Sequence, residues 1–325
     1  MKNLSGLGRV TLFITLVVAS TAVVFAQDYP NKPIRMIVPA APGGGIDIIT
    51  RFVAQELSRI FRQSVVVENR AGASGMAGAD VVAKAAPDGY TLVMIGTSHA
   101  IIPSLFTKKL YDPVKDFATV TQVTSQPYIM GVHPSVPTKS VKEFIALAKS
   151  KPGQLNYGSA GPGSTPHMAT ELLRTLAGID LVHVPYQGGA RATFALISGE
   201  ITMVFGTLPP YLPLVKAGKI RALAVSSAKR APVVPALPTI AESGVPGFEV
   251  ISWIGLLAPA KTPKPIVDKL QVEIARMLQT REIKDRLATD GSEPVGSMPD
   301  EFGAHIQAEI TKWGKVVRAS CMRVD

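Results

Sequence analysis

The stretch VPAAPGGGID, residues 38–47, places three consecutive glycines between two apolar patterns. The preceding run IRMIV is short and rich in β-branched residues, which predicts a buried strand. Apolar residues then recur at the spacing of one helical face from residue 48 to residue 61. A strand-to-helix turn needs at most one positive φ, so Gly43, Gly44 and Gly45 together indicate that something approaches bare backbone. The helix start offers unpaired N–H groups and partial positive charge, which predicts an anion site.

A second turn, NYGSAGPGSTPH at residues 156–167, repeats this plan later in the chain. A short strand precedes it, and Ser164 and Thr165 are candidate caps for a following helix. One such turn in each of two lobes would clamp an anion from both sides, and each charge-assisted hydrogen bond would contribute roughly 1.5–3 kcal/mol. A single glycine-rich turn is most often an ordinary tight turn, so the pair carries the inference.

Strand and helix patterns alternate along most of the chain, as in a parallel sheet covered on both faces. Two runs, FATVTQV at residues 117–123 and YIMGVH at residues 128–133, are separated by Ser125-Gln126-Pro127 with no helix between them, and they predict a crossing to a second lobe. The apolar run FEVISWIGLLAP predicts the return strand. We therefore expect an α/β protein of two lobes with a ligand cleft between them. Lobe 1 comprises residues 27–124 and 250–325, and lobe 2 comprises residues 125–249.

The helical stripes have definite predicted positions. A proline-rich loop is expected at residues 231–246. Helices are predicted at residues 47–62, 74–85, 140–150, 164–176 and 189–197, after Ser98, and along the apolar stripes 266–278 and 302–317.

The N-terminal 26 residues have the pattern of a signal peptide. Lys2 and Arg9 precede an uncharged apolar run, and Val24 and Ala26 flank a candidate cleavage site. The run is short for a membrane span of roughly 20 residues, which disfavours an anchor. Cleavage would lower the formal charge from +10 to about +8, which favours anionic partners by steering but equally serves solubility. The single cysteine, Cys321, excludes an internal disulfide and a cysteine-based metal cluster.

Three side chains near these turns have two possible roles each. Ser98, in the stretch TSHA, could cap a helix or contact a ligand. Tyr186, in VPYQGGA, could lie in the core or in the cleft. Asp47 would stabilise the helix dipole but repel a bound anion, and Arg51 one turn later can neutralise it. We therefore expect Asp47 to fix the first loop.

No catalytic motif accompanies the glycine turns. Neither contains G-x-S-x-G or G-x-G-x-x-G, and neither is followed by G-K-[ST]. The five histidines are far apart and lack metal-binding spacing. No basic run interleaved with aromatic residues indicates nucleic acid. We predict no catalytic residue, no cofactor and no metal site, while a triad assembled by the fold stays open.

Five stretches resemble the Bug receptors of tripartite tricarboxylate transporters, which are periplasmic solute-binding proteins of Gram-negative bacteria. They are YPNKPIRMIVPAAPGGGID, VVVENRAGASGMAGADVVAKAAPDGYTL, LNYGSAGPGSTPHMATELL, HVPYQGG and PTIAESGVPGF. The resemblance implies a two-lobed type II periplasmic-binding-protein fold that closes on a small organic carboxylate. It also implies export to the periplasm and a membrane permease of the tripartite type as a partner. We expect a monomer that binds no nucleic acid.

In such receptors, backbone amides and waters of one glycine loop from each lobe hold the carboxylate. The resemblance places these loops at Pro42–Asp47 and Ser159–Ser164. The predicted ligand contacts are Pro42, Gly43, Gly44, Gly45, Asp47, Thr97, Ser98, Ser159, Ala160, Gly161, Gly163, Ser164 and Tyr186.

The chain departs from the family pattern at two positions. Thr202 and Gly206 stand where many relatives have acidic residues. Their absence argues against a ligand whose amino group must be paired, and leaves dicarboxylates, tricarboxylates and aromatic carboxylates open. Two alternative functions also stay open: a secreted hydrolase or transferase acting on a carboxylated substrate, and an orphan sensor receptor that feeds no permease.

Overall fold

The computed structural model describes residues 29–289 and 291–320, so the predicted signal segment and Cys321 lie outside the described residues. The strands are β1 (Ile34–Val38), β2 (Val65–Asn69), β3 (Thr91–Gly96), β4 (Phe117–Val132), β5 (Asn156–Ser159), β6 (Val182–Pro185), β7 (Met203–Thr207), β8 (Arg221–Val225), β9 (Ile251–Pro259) and β10 (Glu293–Pro294). The helices are α1 (Gly45–Phe61), α2 (Met76–Ala83), α3 (Ser98–Leu105), α4 (Val141–Ser150), α5 (Thr165–Ala177), α6 (Gly189–Ser198), α7 (Leu208–Lys216), α8 (Lys264–Leu278), α9 (Arg281–Thr289) and α10 (Pro299–Ala319).

Every helix predicted from apolar spacing is present, and the five with predicted bounds end within two residues of them. Two helices were missed. α7 begins Leu208-Pro209-Pro210, and prolines are tolerated in a first turn because its N–H groups have no partner within the helix. α9 buries only Ile283 and Leu287, too few apolar positions to establish a helical period.

The sheet has two parallel parts joined by antiparallel strands. β1 pairs in parallel with β2 and β3, and β5 pairs in parallel with β6 and β7. β9 and β4 lie between these parts, giving the order β2-β1-β3-β9-β4-β7-β5-β6. Because both glycine turns follow strands that end in a parallel part, each turn lies at a carboxyl edge of its own part. The predicted α/β class and the two-part architecture follow from this pairing.

The predicted crossing is a single 16-residue strand, not two runs with a break. Phe117–Pro127 of β4 pair with β9, and Tyr128–Val132 pair with β7. Pro127 does not interrupt the strand because it lies at the end of the ladder with β9, opposite Ile251. The next amide, of Tyr128, donates to the buried Ser226 Oγ at 2.8 Å. β4 is therefore a continuous connection between the two parts.

Apolar packing also joins the two parts. One buried cluster contains Val93 from the first part and Phe144 from the second. Helix α10 packs against both α3 and α5. Within the described ranges, no helix combines the length and the hydropathy needed to cross a membrane.

Candidate functional site

The first glycine turn contains two glycines that its backbone conformation does not require. Gly43 has φ +82°, which favours glycine, whereas Gly44 has φ −79° and Gly45 is the first residue of α1. A Cβ at Gly44 would meet nothing nearer than the Ala41 carbonyl oxygen at 3.8 Å. A Cβ at Gly45 would lie 4.0 Å from Gln126 Nε2. Neither the backbone conformation nor the packing requires glycine at positions 44 and 45. The effect of these two glycines is to leave the backbone of the turn accessible.

Asp47 holds this turn through both carboxylate oxygens. Oδ2 accepts from the Gly43 amide at 2.9 Å and from Arg51 Nε at 3.0 Å, and Oδ1 accepts from Asn69 Nδ2 at 2.9 Å. Asp47 is 3% exposed. Burial alone would raise the pKa of its carboxyl, but the hydrogen bonds from Arg51, Gly43 and Asn69 lower it. The negative charge is thus paired behind the turn.

Helix α1 begins without a cap. Gly44 is the N-cap residue and supplies no side chain. Among the described residues, the amides of Gly44, Gly45 and Ile46 have no acceptor. Such amides and the positive end of the helix dipole favour an anion.

The second glycine turn uses several of its amides internally. Gly161 N donates to Ser159 Oγ at 3.1 Å, Gly163 N donates to His167 Nδ1 at 3.0 Å, and Ser164 N donates to the Gly161 carbonyl at 3.1 Å. The predicted cap Ser164 does hold the N-cap position. Its hydroxyl, however, donates to the Gly161 carbonyl at 2.7 Å and does not cap α5.

The start of α5 therefore keeps free donors. The amides of Thr165 and His167 have no acceptor within the described part of the chain, and Pro166 has no N–H. Gly161 and Gly163 have φ +118° and +73°, so here the backbone itself favours glycine.

Two stacked histidines support the second turn from behind. The rings of His167 and His183 are 4.0 Å apart and nearly parallel, and Tyr157 stacks on His183 at 4.8 Å. Because His167 Nδ1 accepts from Gly163, its ring must be neutral with the proton on Nε2. Burial lowers the pKa of His167, and burial with the neighbouring His167 lowers the pKa of His183 to about 4. The support is uncharged at neutral pH.

His183 also contacts Ser159, in the geometry of a nucleophile and its base. Ser159 Oγ lies 2.7 Å from His183 Nε2. Ser159 is fully buried, however, and its hydroxyl oxygen accepts from the Gly161 amide. Among the described residues no carboxylate hydrogen-bonds to His183. The pair holds the turn and does not present a hydroxyl to the cleft.

The second turn contacts residues of the first part. Ser74 Oγ donates to the Pro162 carbonyl at 3.2 Å. Ser74 has φ +56° and belongs to a 3₁₀ turn, Ala73–Gly75, that follows β2. A Cβ at Gly163 would overlap Leu105 at the end of α3. The structure thus brings the second turn against elements that flank the first.

The remaining predicted contacts have different surroundings. Thr97 Oγ1 accepts from the Trp253 amide at 3.3 Å, which ties β3 to the return strand β9. Ser98 lines a small cavity of about 10 Å³ with Pro39 and Ser74. Tyr186 donates its hydroxyl to Glu200 Oε1 at 2.8 Å, so that side chain is already paired. Ligand contact by these three residues stays a prediction.

The two departures from the family pattern have structural roles. Thr202 Oγ1 donates to Asn156 Oδ1 at 2.9 Å and holds the start of β5. A Cβ at Gly206 would overlap the buried ring of Tyr211 from α7. A side chain at position 206 is therefore incompatible with this ring position.

The family model described as "Tripartite tricarboxylate transporter family receptor" matches residues 49–322. The chain belongs to this receptor family. The resemblance to Bug receptors is confirmed.

Solved structures agree with this assignment. R. palustris Rpa4515 with adipate is 37% identical, has a TM-score of 0.85, and covers 91% of this chain and 100% of its own. MatC (Rpa3494) from Rhodopseudomonas palustris with bound malate is 34% identical, with a TM-score of 0.81 over 89% of this chain and 100% of its own. Periplasmic binding protein BugD is 31% identical, has a TM-score of 0.82, and covers 91% of this chain and 100% of its own. The predicted two-lobed periplasmic-binding-protein fold is confirmed.

Some residues at the site were not predicted. His167 and His183 lie 16 positions apart, and only the parallel pairing of β5 with β6 brings His183 beside the turn. Gln126 was assigned to the segment between two strands and is instead buried beside Gly45. The alternation of a polar residue within an apolar strand was the available signal for Gln126.

Proposed function

We propose that this protein is a periplasmic receptor that captures a small organic dicarboxylate and delivers it to a permease of the tripartite tricarboxylate type. The observation that carries the proposal is the pair of uncapped helix starts, one at the end of each glycine turn. Adipate and malate are bound by two structural relatives, and both are dicarboxylates. Export through the predicted signal segment, with cleavage near Ala26, belongs to the same proposal, as do a monomeric state and lobe bounds at residues 124/125 and 249/250.

Backbone dipoles supply the attraction in this proposal. Among the described residues, the available donors in the first turn are the amides of Gly44 to Asp47, and in the second those of Ala160, Thr165 and His167. Four amides within the predicted loops, those of Gly43, Gly161, Gly163 and Ser164, are paired internally. The ligand therefore contacts the helix starts more than the turns as a whole.

Closure of the cleft follows from having donors in both parts. A carboxylate held at one helix start is still solvated on its other side, and closure replaces that water by protein donors. Ligand therefore favours the closed arrangement by its extra hydrogen bonds there. We expect the two parts to rotate about β4 and β9, with α10, which packs against helices of both parts, as a further constraint.

Isothermal titration with adipate, malate, citrate and benzoate tests the proposal. Saturable binding of a dicarboxylate, recovered chemically unchanged by mass spectrometry, is the expected result. Conversion of the bound compound would favour the hydrolase or transferase alternative. Failure of all four carboxylates to bind would contradict the proposed ligand class.

Replacing Gly44 by Val sharpens this test. The backbone at Gly44 accepts a Cβ, and its nearest neighbour would be at ordinary contact distance. We expect the variant to melt close to the wild-type temperature and to bind the dicarboxylate at least about tenfold more weakly, or 1.4 kcal/mol. Gly303→Ala is the control, because a Cβ there would make an ordinary contact with Thr119 at 3.6 Å. Unchanged affinity in folded Gly44→Val would remove the first turn from the site.

A further inference from the structure

Gln126 is a buried side chain whose amide donor is unused. It lies on β4, just before the strand leaves β9 for β7, and it is 8% exposed. Its Oε1 accepts from Ser292 Oγ at 3.4 Å, a long hydrogen bond. Its Nε2 has no acceptor among the described residues. Nε2 is not among the fully enclosed side-chain atoms that lack a partner, so this end of the buried side chain reaches solvent and is open to a ligand.

The unused donor faces the first glycine turn. Gln126 Nε2 is the nearest heavy atom to a Cβ built at Gly45, at 4.0 Å. The amides of Gly44, Gly45 and Ile46 lie in the same turn and also have no acceptor in the described chain. Several donors that share one space cannot satisfy each other. An acceptor with more than one lone pair, such as a carboxylate, satisfies them together.

We propose that the Gln126 side-chain amide donates a hydrogen bond to the carboxylate that occupies the first glycine turn. This assignment rests on the proposed function and adds a side-chain donor to a site otherwise built from backbone. Asp47 and Arg51 do not substitute for it, because they are paired with each other behind the turn.

The position of Gln126 gives the contact a second consequence. β4 continues from Gln126 into Tyr128–Val132, which pair with β7 in the other part of the sheet. A ligand held by α1 and Gln126 thus touches the strand that connects the two parts. The contact therefore places the ligand directly against the segment about which closure occurs.

Two variants of similar shape separate the possible roles of this side chain. Gln126→Met keeps much of the volume and removes the donor, and Gln126→Glu keeps the shape and adds a negative charge. We expect titration with adipate and malate to show binding about tenfold weaker for Gln126→Met, which is the effect of losing one hydrogen bond to a charged group. For Gln126→Glu, which also adds a repelling charge, we expect binding weaker by about a hundredfold or more. Gln154→Glu is the control for net charge, because Gln154 is exposed and precedes β5, at the other end of that strand from the second glycine turn. Its affinity should stay within about twofold of wild type.

Thermal melting of the ligand-free Gln126→Glu protein completes the experiment. A glutamate carboxylate at position 126 lies beside the unpaired amides of α1, so we expect the ligand-free variant to melt no lower than wild type. Its weaker binding is then an effect at the ligand site and not a loss of folding. Wild-type affinity in both variants would overturn the assignment while leaving the receptor function standing. Absence of dicarboxylate binding by the wild type would overturn both.

Discussion

The two glycine turns share one sequence plan but are supported in opposite ways. Behind the first turn lies a charged network in which Asp47 is bonded to Gly43, Arg51 and Asn69. Behind the second lies a stack of neutral histidine rings, with His167 accepting from Gly163. Both supports pair amides of the turn and leave the helix start unpaired. Different side chains hold the two turns, but both turns keep unpaired amides at the start of a helix. We infer that these unpaired amides are what the two turns have in common.

The largest loss of stability and of dicarboxylate binding is expected from removing the Asp47 carboxylate. In Asp47→Ala the amide of Gly43 and the side chains of Arg51 and Asn69 lose a common partner. Hydrogen bonds to a charged group contribute about 1.5–3 kcal/mol each, so we expect a loss of about 3 kcal/mol in the free energy of unfolding. Dicarboxylate binding should fall by more than about tenfold, or 1.4 kcal/mol. Urea unfolding and titration check these values.

Asp47→Asn is the matched variant for the charge. It keeps an acceptor for Gly43 but loses the ion pair with Arg51. An intermediate loss is expected. Equal stability of the alanine variant and wild type would contradict the account of the first turn.

Removing His167 should have a smaller effect on the second turn. In His167→Ala the Gly163 amide loses its acceptor, which costs about 1–3 kcal/mol. His167→Asn offers a carbonyl oxygen near the same place and should recover a large share of the loss. Hydrogen exchange of the Gly163 amide in the ligand-free protein measures this directly. Exchange equally fast in the Asn and Ala variants would mean that the acceptor at position 167 does not order the turn.

The two supports should also fail in different pH ranges. Both histidines have folded pKa values below the unfolded value of about 6.5. The unfolded chain then binds more protons, so their contribution to stability falls as pH drops from about 6.5 to about 4. Asp47 also has a lowered pKa, and its contribution is present above the unfolded value of about 3.9 and is lost below it. The first turn should therefore tolerate mild acid better than the second.

Hydrogen exchange at several pH values, corrected for intrinsic rates, checks this difference. Protection of the second turn should fall between pH 6.5 and 4 while that of the first persists. Glu171 and Arg174 on α5 and Tyr157 on β5 are the other charged or titratable groups near the stack. His183→Gln is the control, because glutamine at this position cannot titrate while His167 still can. An identical pH response of wild type and this variant would exclude the titration of His183 as the cause.

Local patterns predicted much of the fold and the position of the turns. The apolar spacing of α1 and the run IRMIV defined the first turn correctly because both depend on near neighbours in sequence. α7 was not predicted, and its three prolines are residues that local patterns associate with turns more than with helices. The unbroken course of β4 through Pro127 depends on Ser226, about 100 positions away, which no local pattern reveals.

The chemistry of the site was less predictable than its location. The runs of glycine indicated where backbone amides would be accessible. They did not indicate that the amides of Gly161 and Gly163 donate to the side chains of Ser159 and His167, because that depends on the directions of those side chains. The unused amide of Gln126 becomes visible only when β4 is placed beside α1. The order of strands in the sheet brings together candidate residues that lie far apart in the sequence.

Hydrogen exchange with and without a saturating dicarboxylate tests the central claim most directly, because it observes both turns in one experiment. The claim is that one carboxylate ligand is held between the helix start at Gly44–Asp47 and the helix start at Ser164–His167. We expect adipate or malate to slow amide exchange at both segments in the wild-type protein. Slowed exchange at only one of them, with a ligand that binds tightly, would show that the anion is held by a single turn and would contradict the two-turn account.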